Sequence, residues 1–237
     1  MTNPTQGTLY GVGTGPGDPE LVTRKAWRIT QEAGVVAYPS AEGGDSFARR
    51  IMADAIAPDA IEIEMPVPMV SGRAPAQAIY DDGAEQIRTQ LKAGRDVVVL
   101  CEGDPLFYGS FMYILARLRD EFSTRIIPGV TSMTACASAH NHALVARNDV
   151  LTVLPGTQDD ATLSARIDDA DAVVIMKIGR HLGRIKSLLM SKGLAEKSLY
   201  VSHASLPHQQ AEPLTEAPDT APYFSMILLY KGDDPWI

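Results

Sequence analysis

The stretch TLYGVGTGPGDPE, residues 8–20, carries the strongest indication of the fold. A short apolar run over residues 8–12 predicts a first β-strand, and a turn containing three glycines follows it. Asp18 is a good N-cap and Pro19 suits the first turn of a helix, so we predict a helix over residues 19–30. A strand, a glycine-rich turn and a helix in succession are typical of an α/β protein.

The glycine spacing excludes two common nucleotide-binding turns. The dinucleotide pattern GxGxxG, counted from Gly11 or from Gly13, requires glycine where Pro16 or Asp18 stands. A P-loop requires Gly-Lys-Ser/Thr, which this turn lacks. A nicotinamide-dependent oxidoreductase is therefore disfavoured. Two interpretations stay open for the turn: it brings backbone close to a polar or anionic ligand, or it is structural only.

Apolar runs and helix-like segments alternate along the rest of the chain, which predicts α/β layers. Four consecutive apolar residues, Val97 to Leu100, predict a strand buried on both faces. The pattern changes near Pro128 and Gly129, so we predict two α/β domains in series, residues 1–128 and 129–237. The other predicted strands are 35–38, 61–65, 124–127, 150–154, 172–176, 199–202 and 224–230, and the other predicted helices are 46–57, 76–93, 111–121, 131–139, 161–167 and 181–192.

Composition narrows the class of protein further. The 237 residues carry a formal net charge of −8, which disfavours a nucleic-acid partner. No apolar run reaches the roughly 18 residues of a membrane span, and the polar segment Met1–Gln6 is not expected to be a signal peptide. Cys101 and Cys136 lie in apolar stretches without metal-ligand or CxxC spacing, so we expect a reduced cytoplasm and no bound metal.

A second candidate site follows the most apolar strand. In the stretch CEGDPLFYG, residues 101–109, Gly103 would let a ligand approach the backbone and Asp104 could accept its hydrogen bond. The alternative is that Asp104 only caps the next helix. Thr131 and Ser132 likewise are either ligand contacts or helix caps, and Met176 is either a ligand contact or a core residue.

Taken in order, these motifs resemble the tetrapyrrole methylase family, the third structural class of S-adenosylmethionine-dependent methyltransferases. The family's opening pattern appears as GTGPGD at residues 13–18, and its glycine-aspartate-proline as residues 103–105. The resemblance implies two α/β domains with a cofactor cleft between them, S-adenosylmethionine as methyl donor, and a homodimer. The implied cofactor-binding residues are Pro16, Gly103, Asp104, Phe107, Thr131, Ser132, Met176 and Ala204.

Within the family, residues 37–39, 102–111 and 222–226 resemble members that methylate carbon 20 of the macrocycle. Glu102 and Pro39 stand where members that methylate carbons 2 and 7 usually carry glycine and aspartate. Four alternatives remain: the same reaction on a cobalt-containing macrocycle, a sister enzyme acting on another carbon, a member that modifies a protein, and a tetrapyrrole carrier without catalysis.

The implied chemistry needs neither a metal nor a covalent nucleophile. The substrate carries many carboxylates, so basic residues must be concentrated locally against the negative net charge. We expect Arg147 and Tyr38 to bind substrate, with further basic candidates Arg49, Arg50, Lys177, Arg180 and Arg184. Glu102 and Tyr108 are the candidates for removing the proton from carbon 20; His140 and His142 also come into question, although a structural or solvated histidine is the commoner case.

Overall fold

The computed structural model describes residues 6–41, 44–68 and 74–232, so most of the polar segment Met1–Gln6 lies outside the described residues. The chain divides into two compact units, Met1–Thr131 and Ser132–Ile237. The division falls three residues after the predicted domain boundary, and the domain assignment itself stays a prediction. None of the helices in the described part of the chain has the length and apolar composition that a membrane crossing requires.

The first unit is built on a five-stranded parallel sheet. Its strands are β1 (Leu9–Gly13), β2 (Val35–Ala41), β3 (Ile61–Val67), β4 (Val97–Cys101) and β5 (Thr124–Ile127). They lie in the order β3-β2-β4-β1-β5. Its helices are α1 (Arg24–Gln31), α2 (Phe47–Ile51), α3 (Ala74–Lys92) and α4 (Phe111–Leu118). The α/β prediction is confirmed.

Strand β4 is buried on both faces, as its apolar run predicts. Val97, Val99 and Cys101 pack with residues of α3 and α4 on one face. Val98 and Leu100 pack with residues of α1 and α2 on the other. This central strand therefore anchors the two hydrophobic layers of the first unit.

The prediction of one continuous helix over residues 19–30 is wrong. The Asp18 carboxylate accepts a hydrogen bond from the Glu20 N–H at 2.9 Å and caps a short 3-10 turn, Pro19–Leu21. Val22 is extended, and the Thr23 hydroxyl then accepts from the Ala26 N–H at 3.2 Å to begin α1. Two strong capping residues within six positions divide the segment because each favours a helix start.

The second unit contains helices α5 (Ser132–Ala139), α6 (Asp160–Asp169) and α7 (Leu182–Ser191) around a mixed sheet. Its strands are β6 (Leu151–Pro155), β7 (Ala172–Met176), β8 (Ser198–Ser202), β9 (Gln210–Pro213) and β10 (Ser225–Tyr230). The order is β6-β7-β10-β8-β9, with β6 and β7 parallel and the other pairs antiparallel. Strand β9 was not predicted, because its sequence QAEP lacks an apolar alternation and it forms by pairing with β8.

Candidate functional site

The sheet order of the first unit places a ligand-binding position at the carboxyl ends of β1 and β4. From β1 the chain passes through α1 to β2 on one side, whereas from β4 it passes through α4 to β5 on the other. The connections that leave the neighbouring strands β1 and β4 therefore run to opposite faces of the sheet, because α1 packs in the layer of Val98 and Leu100 and α4 packs in the opposite layer. In open α/β sheets, ligands bind at such a switch point. The two glycine-containing motifs of the sequence both lie there.

Backbone hydrogen bonds join the turns that follow these two strands. The Gly103 N–H donates to the Gly15 carbonyl at 2.8 Å, and the Gly15 N–H donates to the Gly103 carbonyl at 3.2 Å. Gly15 has φ +76° and Gly103 has φ +62°, a backbone region that glycine enters without a steric penalty. The two motifs therefore form one structural element, although Gly15 and Gly103 lie far apart along the chain.

Three glycines pack backbone against backbone at the same place. A Cβ on Gly129 would lie 2.0 Å from the Gly103 carbonyl oxygen. A Cβ on Gly13 would lie 2.6 Å from that oxygen and 2.6 Å from the Gly129 nitrogen. No side chain can be accommodated at Gly13 or Gly129, so the carboxyl ends of β1, β4 and β5 converge with bare backbone.

Asp104 links the turn after β4 to the segment after β5. One carboxylate oxygen accepts from the Leu106 N–H at 2.9 Å, and the other accepts from the Gly129 N–H at 3.0 Å. Asp104 therefore does not cap α4, whose N-cap position is Ser110. A carboxylate has about four acceptor positions, so Asp104 can hold the backbone and still accept a hydrogen bond from a ligand.

The residues around this turn offer apolar and aromatic surface. Pro16 is half-buried directly after Gly15. The half-buried Phe107 ring meets the exposed Tyr108 ring edge to face, with centroids 5.2 Å apart. Tyr108 has φ +55°, a strained conformation for a tyrosine. Strain of this kind concentrates at ligand-binding and catalytic sites.

Glu102 is a carboxyl group held beside the switch point. Burial raises its pKa above the usual range, while hydrogen bonds from its own N–H and from the Ala48 N–H at the start of α2 act in the opposite direction. A carboxyl group with a raised pKa exchanges protons more readily near neutral pH. Glu102 thus has the chemistry expected of a proton acceptor, and that role stays a prediction.

Tyr38 and Arg49, both expected near substrate, have partners within the first unit. Arg49 donates two hydrogen bonds to the Glu62 carboxylate, at 2.6 Å and 2.8 Å. Burial, followed by the hydrogen bond to Glu62, raises the pKa of Tyr38, and only 6% of its surface is exposed. The group holds α2 against β3, and substrate binding by Tyr38 stays a prediction.

In the second unit, one end of the sheet, which we call its edge here, brings together terminal residues of three neighbouring strands. Strand β7 ends at Met176 and β8 ends at Ser202, while the antiparallel β10 begins at Ser225 between them. Met176 and Ala204, which are 9% and 8% exposed, consequently lie in one buried cluster. Met176 and Ala204 are far apart in the sequence, and only the fold brings them together. Their role in cofactor binding stays a prediction.

The same edge carries strained and exposed residues that the sequence-based site did not include. His203 has φ +51°, and its N–H donates to the Phe224 carbonyl at 2.8 Å. The centroids of the His203 and His208 rings lie 4.3 Å apart. Burial lowers the pKa of His203, and the neighbouring His208 lowers it further. Tyr223 and Phe224 are exposed and meet edge to face at 5.1 Å. The adjacent aromatic residues Tyr223 and Phe224, in an otherwise polar loop, are the sequence feature that could have indicated this group of residues.

The remaining candidates separate into anchored and exposed side chains. Arg184 is held by Asp160 and by the Gly156 and Gln158 carbonyls. His140 bonds the Tyr200 carbonyl at 3.0 Å and His142 bonds the Ala143 carbonyl at 2.7 Å, so both contact backbone as structural histidines do. The exposed residues are Arg50, Arg147, Lys177 and Arg180; Arg147 has φ +44° and Lys177 has φ +57°.

Thr131 is the last residue of the first unit, and Ser132 begins α5 in the second. Both are half-buried. Their predicted contact with a cofactor stays a prediction. The described residues contain no group of three or more His, Cys, Asp or Glu side chains placed to hold a metal ion.

Comparison with known proteins identifies the family of this chain. The model of the family described as Tetrapyrrole (Corrin/Porphyrin) Methylases matches residues 8–218. A precorrin-2 C(20)-methyltransferase from Sinorhizobium is 41% identical over 94% of this chain and 95% of its own length. A cobalt-precorrin-2 C(20)-methyltransferase from Salmonella typhimurium is 32% identical over 95% of this chain and 97% of its own length.

A longer relative, the cobalamin biosynthesis protein CobIJ of Mycobacterium tuberculosis, is 44% identical over 96% of this chain. The chain spans only 46% of that relative's length.

Solved structures agree in fold. The uroporphyrin-III C-methyltransferase of Thermus thermophilus, complexed with S-adenosyl homocysteine, has a TM-score of 0.68 at 25% identity and covers 94% of this chain and 97% of its own. The cobalt precorrin-4 methyltransferase CbiF has a TM-score of 0.72 at 22% identity and covers 94% of both chains. Given the motifs, the two sheets and these relatives, the chain belongs to the tetrapyrrole (corrin/porphyrin) methylase family.

Proposed function

We propose that this chain transfers a methyl group from S-adenosylmethionine to carbon 20 of precorrin-2, giving precorrin-3A in cobalamin biosynthesis. The observation that carries the proposal is the convergence of Gly13, Gly103 and Gly129 at the switch point of the first unit. That arrangement presents backbone to a ligand. The choice of reaction is supported by the name of the Sinorhizobium relative, which aligns over nearly its full length.

The residues present fit such a cofactor. A Cβ at Gly103 would have only the Val130 carbonyl oxygen within 4 Å, at 3.9 Å, so a ligand can approach the backbone against which Gly13 and Gly129 pack. When bound, S-adenosylmethionine supplies a methyl group already activated on a cationic sulfur. In the first unit the proposed cofactor contacts are Pro16, Gly103, Asp104, Phe107 and Thr131. In the second unit they are Ser132, Met176 and Ala204.

The protein's contribution is positioning and electrostatics. Backbone carbonyls near Glu102 and Gly103 offer negative dipoles that favour a nearby cation, whereas an adjacent lysine or arginine would disfavour it. Holding a methyl donor in line with the accepting carbon contributes roughly 7–11 kcal/mol in favourable cases. Methyl transfer requires the proton on carbon 20 to leave afterwards, and Glu102 is the proposed acceptor because its carboxyl pKa is raised.

Arg147 is the proposed partner of the substrate's carboxylates, since an exposed guanidinium forms paired hydrogen bonds with a carboxylate. We further propose a cytoplasmic homodimer. The cytoplasm is supported by two free, buried cysteines, Cys101 and Cys136. The homodimer rests on the family resemblance and is tested by sedimentation equilibrium.

A second candidate acceptor is the cobalt-containing form of the same tetrapyrrole. The Salmonella relative, named for the cobalt substrate, favours it. The two functions differ in the acceptor and share the carbon that is methylated.

The test is an anaerobic assay with labelled S-adenosylmethionine and either metal-free precorrin-2 or cobalt-factor II. Mass spectrometry and NMR identify the product. We expect one added methyl group at carbon 20 of metal-free precorrin-2, and reduced tetrapyrrole affinity with unchanged cofactor affinity for Arg147→Ala. Transfer to the cobalt substrate alone supports the second candidate. Cofactor binding without transfer to either acceptor contradicts both.

A further inference from the structure

A groove of about 660 Å³ runs along α1 on the first unit. Its lining residues are Pro19, Val22, Arg24, Lys25, Trp27, Arg28 and Gln31. Three of these residues are cationic and none is acidic. We call this surface the α1 groove. Its positive charge contrasts with the formal net charge of −8 for the chain.

The cations of the α1 groove differ in their availability. Arg28 pairs with Glu32 at 3.1 Å, an exposed ion pair within one helix. Arg24 and Lys25 are exposed, and neither side chain forms a hydrogen bond or ion pair with another residue in the described part of the chain. Arg24 and Lys25 therefore offer the groove's available charge.

The groove also has an apolar wall. Trp27 is half-buried and packs against the core layer that includes Ala26 and Val36, and Val22 packs there too. A small inorganic anion would use the cations and leave the indole wet. A ligand with both an apolar ring system and several carboxylates satisfies both features. A nucleic acid is disfavoured because three cations on an acidic chain give a small electrostatic footprint.

The α1 groove begins close to the switch point. Pro19 lines the groove, and Pro16, three residues earlier, lies directly after Gly15, whose backbone pairs with Gly103. Three residues span at most about 10 Å. A large, multiply branched substrate that reaches the switch point can therefore extend its arms into the groove.

We propose that the α1 groove binds carboxylate arms of the tetrapyrrole substrate, with Arg24 and Lys25 as the carboxylate partners and Trp27 as the apolar wall. This inference rests on the proposed function, because that function supplies the polycarboxylate. Such a substrate requires a local concentration of positive charge. The inference assigns that charge to residues that were not among the site residues predicted from the sequence. Arg24 and Lys25 would raise substrate affinity and contact no reacting atom.

The binding experiment uses uroporphyrin III, an air-stable tetrapyrrole with eight carboxylates, and follows its Soret absorbance during titration. Removing two charges in Arg24→Gln/Lys25→Gln should weaken binding about tenfold, as expected for two partly exposed charge pairs. The matched control, Arg95→Gln/Arg119→Gln, removes two exposed arginines elsewhere on the same unit and should bind within about twofold of the wild type. The swap Arg24→Lys/Lys25→Arg keeps the charge and should retain binding.

Equal losses in the groove variant and the control, or no loss in either, would overturn the inference. So would a tenfold loss in the charge-preserving swap, since that would indicate a structural effect. Thermal unfolding monitored by circular dichroism checks that all variants are folded.

A kinetic experiment separates this inference from the proposed function. In the anaerobic methylation assay, Arg24→Gln/Lys25→Gln should raise KM for precorrin-2 about tenfold and leave kcat within about twofold. If the wild type methylates precorrin-2 and the variant has an unchanged KM, the groove is not a substrate site and the proposed function stands. If the wild type does not methylate either acceptor but its uroporphyrin III binding depends on Arg24 and Lys25, the proposed function fails and the groove remains a polycarboxylate site.

Discussion

At the scale of single residues, the glycines at the ends of β1, β4 and β5 have different reasons for being glycine. Gly103 is required by its backbone conformation, at φ +62°. Gly13 and Gly129 are required by space, because a Cβ at either would overlap neighbouring backbone. Asp104 then fixes the approach by accepting a hydrogen bond from the Gly129 N–H at 3.0 Å. A bare-backbone ligand surface results from these requirements together.

Gly129→Ala should destabilise the protein by about 1–3 kcal/mol and weaken S-adenosylmethionine binding, because the new Cβ would lie 2.0 Å from the Gly103 carbonyl oxygen and force the turn apart. Urea unfolding and calorimetric titration measure the two effects. The control is Gly34→Ala, where no atom lies within 4 Å of the added Cβ. Similar results for the two variants would contradict the proposed backbone packing.

At the scale of elements, the strand ends of the first unit are held by side chains from neighbouring helices. The bidentate pair between Arg49 of α2 and Glu62 of β3 ties a five-residue helix to the edge strand of the sheet. So short a helix is unstable without tertiary contacts. The Tyr38 ring lies under this pair, with the Arg49 guanidinium 6.0 Å from the ring centroid.

Glu62→Gln should therefore reduce stability at pH 7 by about 0.5–1 kcal/mol, a small value because both side chains are partly exposed. The hydrogen bond from Arg49 lowers the pKa of Glu62 below its ordinary value of 4.5 in the folded state. The stabilisation is therefore present above pH 4.5 and is lost as the pH falls through the lower folded-state pKa.

Urea unfolding at pH 7 and pH 2 measures this difference, which should vanish at the lower pH. Glu64→Gln, an exposed position on the same strand, is the control and should have little effect at pH 7. An equal loss in Glu62→Gln at both pH values would show that the ion pair is not its cause.

At the scale of the whole molecule, both units bury ionisable groups in their neutral form, and such groups make the folded protein less stable in alkali than at neutral pH. Burial raises the pKa of Tyr80 in the first unit to about 12, from an ordinary value of 10.0. Burial likewise raises the pKa of Cys136 in the second unit to about 12, from an ordinary value of 9.0. In both cases the unfolded chain releases its proton at a lower pH than the folded chain.

Between pH 10 and about pH 12 the unfolded state thus binds fewer protons at Tyr80 than the native state does, and the free energy of unfolding falls as the pH rises. Tyr80→Phe should make this fall shallower. Urea unfolding of the wild type and the variant at pH 8 and pH 11 measures the slopes, and the pH 8 values account for any packing change. Identical slopes would contradict the assignment.

The amino-acid sequence alone was sufficient for the α/β class, for most of the strands and for the two glycine-aspartate-proline turns. These features are encoded locally: an apolar run such as Val97 to Leu100 predicts a doubly buried strand wherever it lies in the sheet, and a turn with alternating glycines predicts close backbone approach. Asp18 was also identified as a capping residue, although the predicted single helix overlooked the second cap, at Thr23.

The tertiary structure was needed to establish which distant residues meet. Gly103 pairs with Gly15, Met176 shares a cluster with Ala204, and Arg49 is bound to Glu62 because strand order and register bring them together. Strand β9 likewise exists because β8 offers an edge, since its own residues have little strand propensity. The periodicity of apolar residues shows which face of a segment is buried and which faces water. It does not show which strand the segment pairs with, because the energy of pairing depends on residues far away in the sequence.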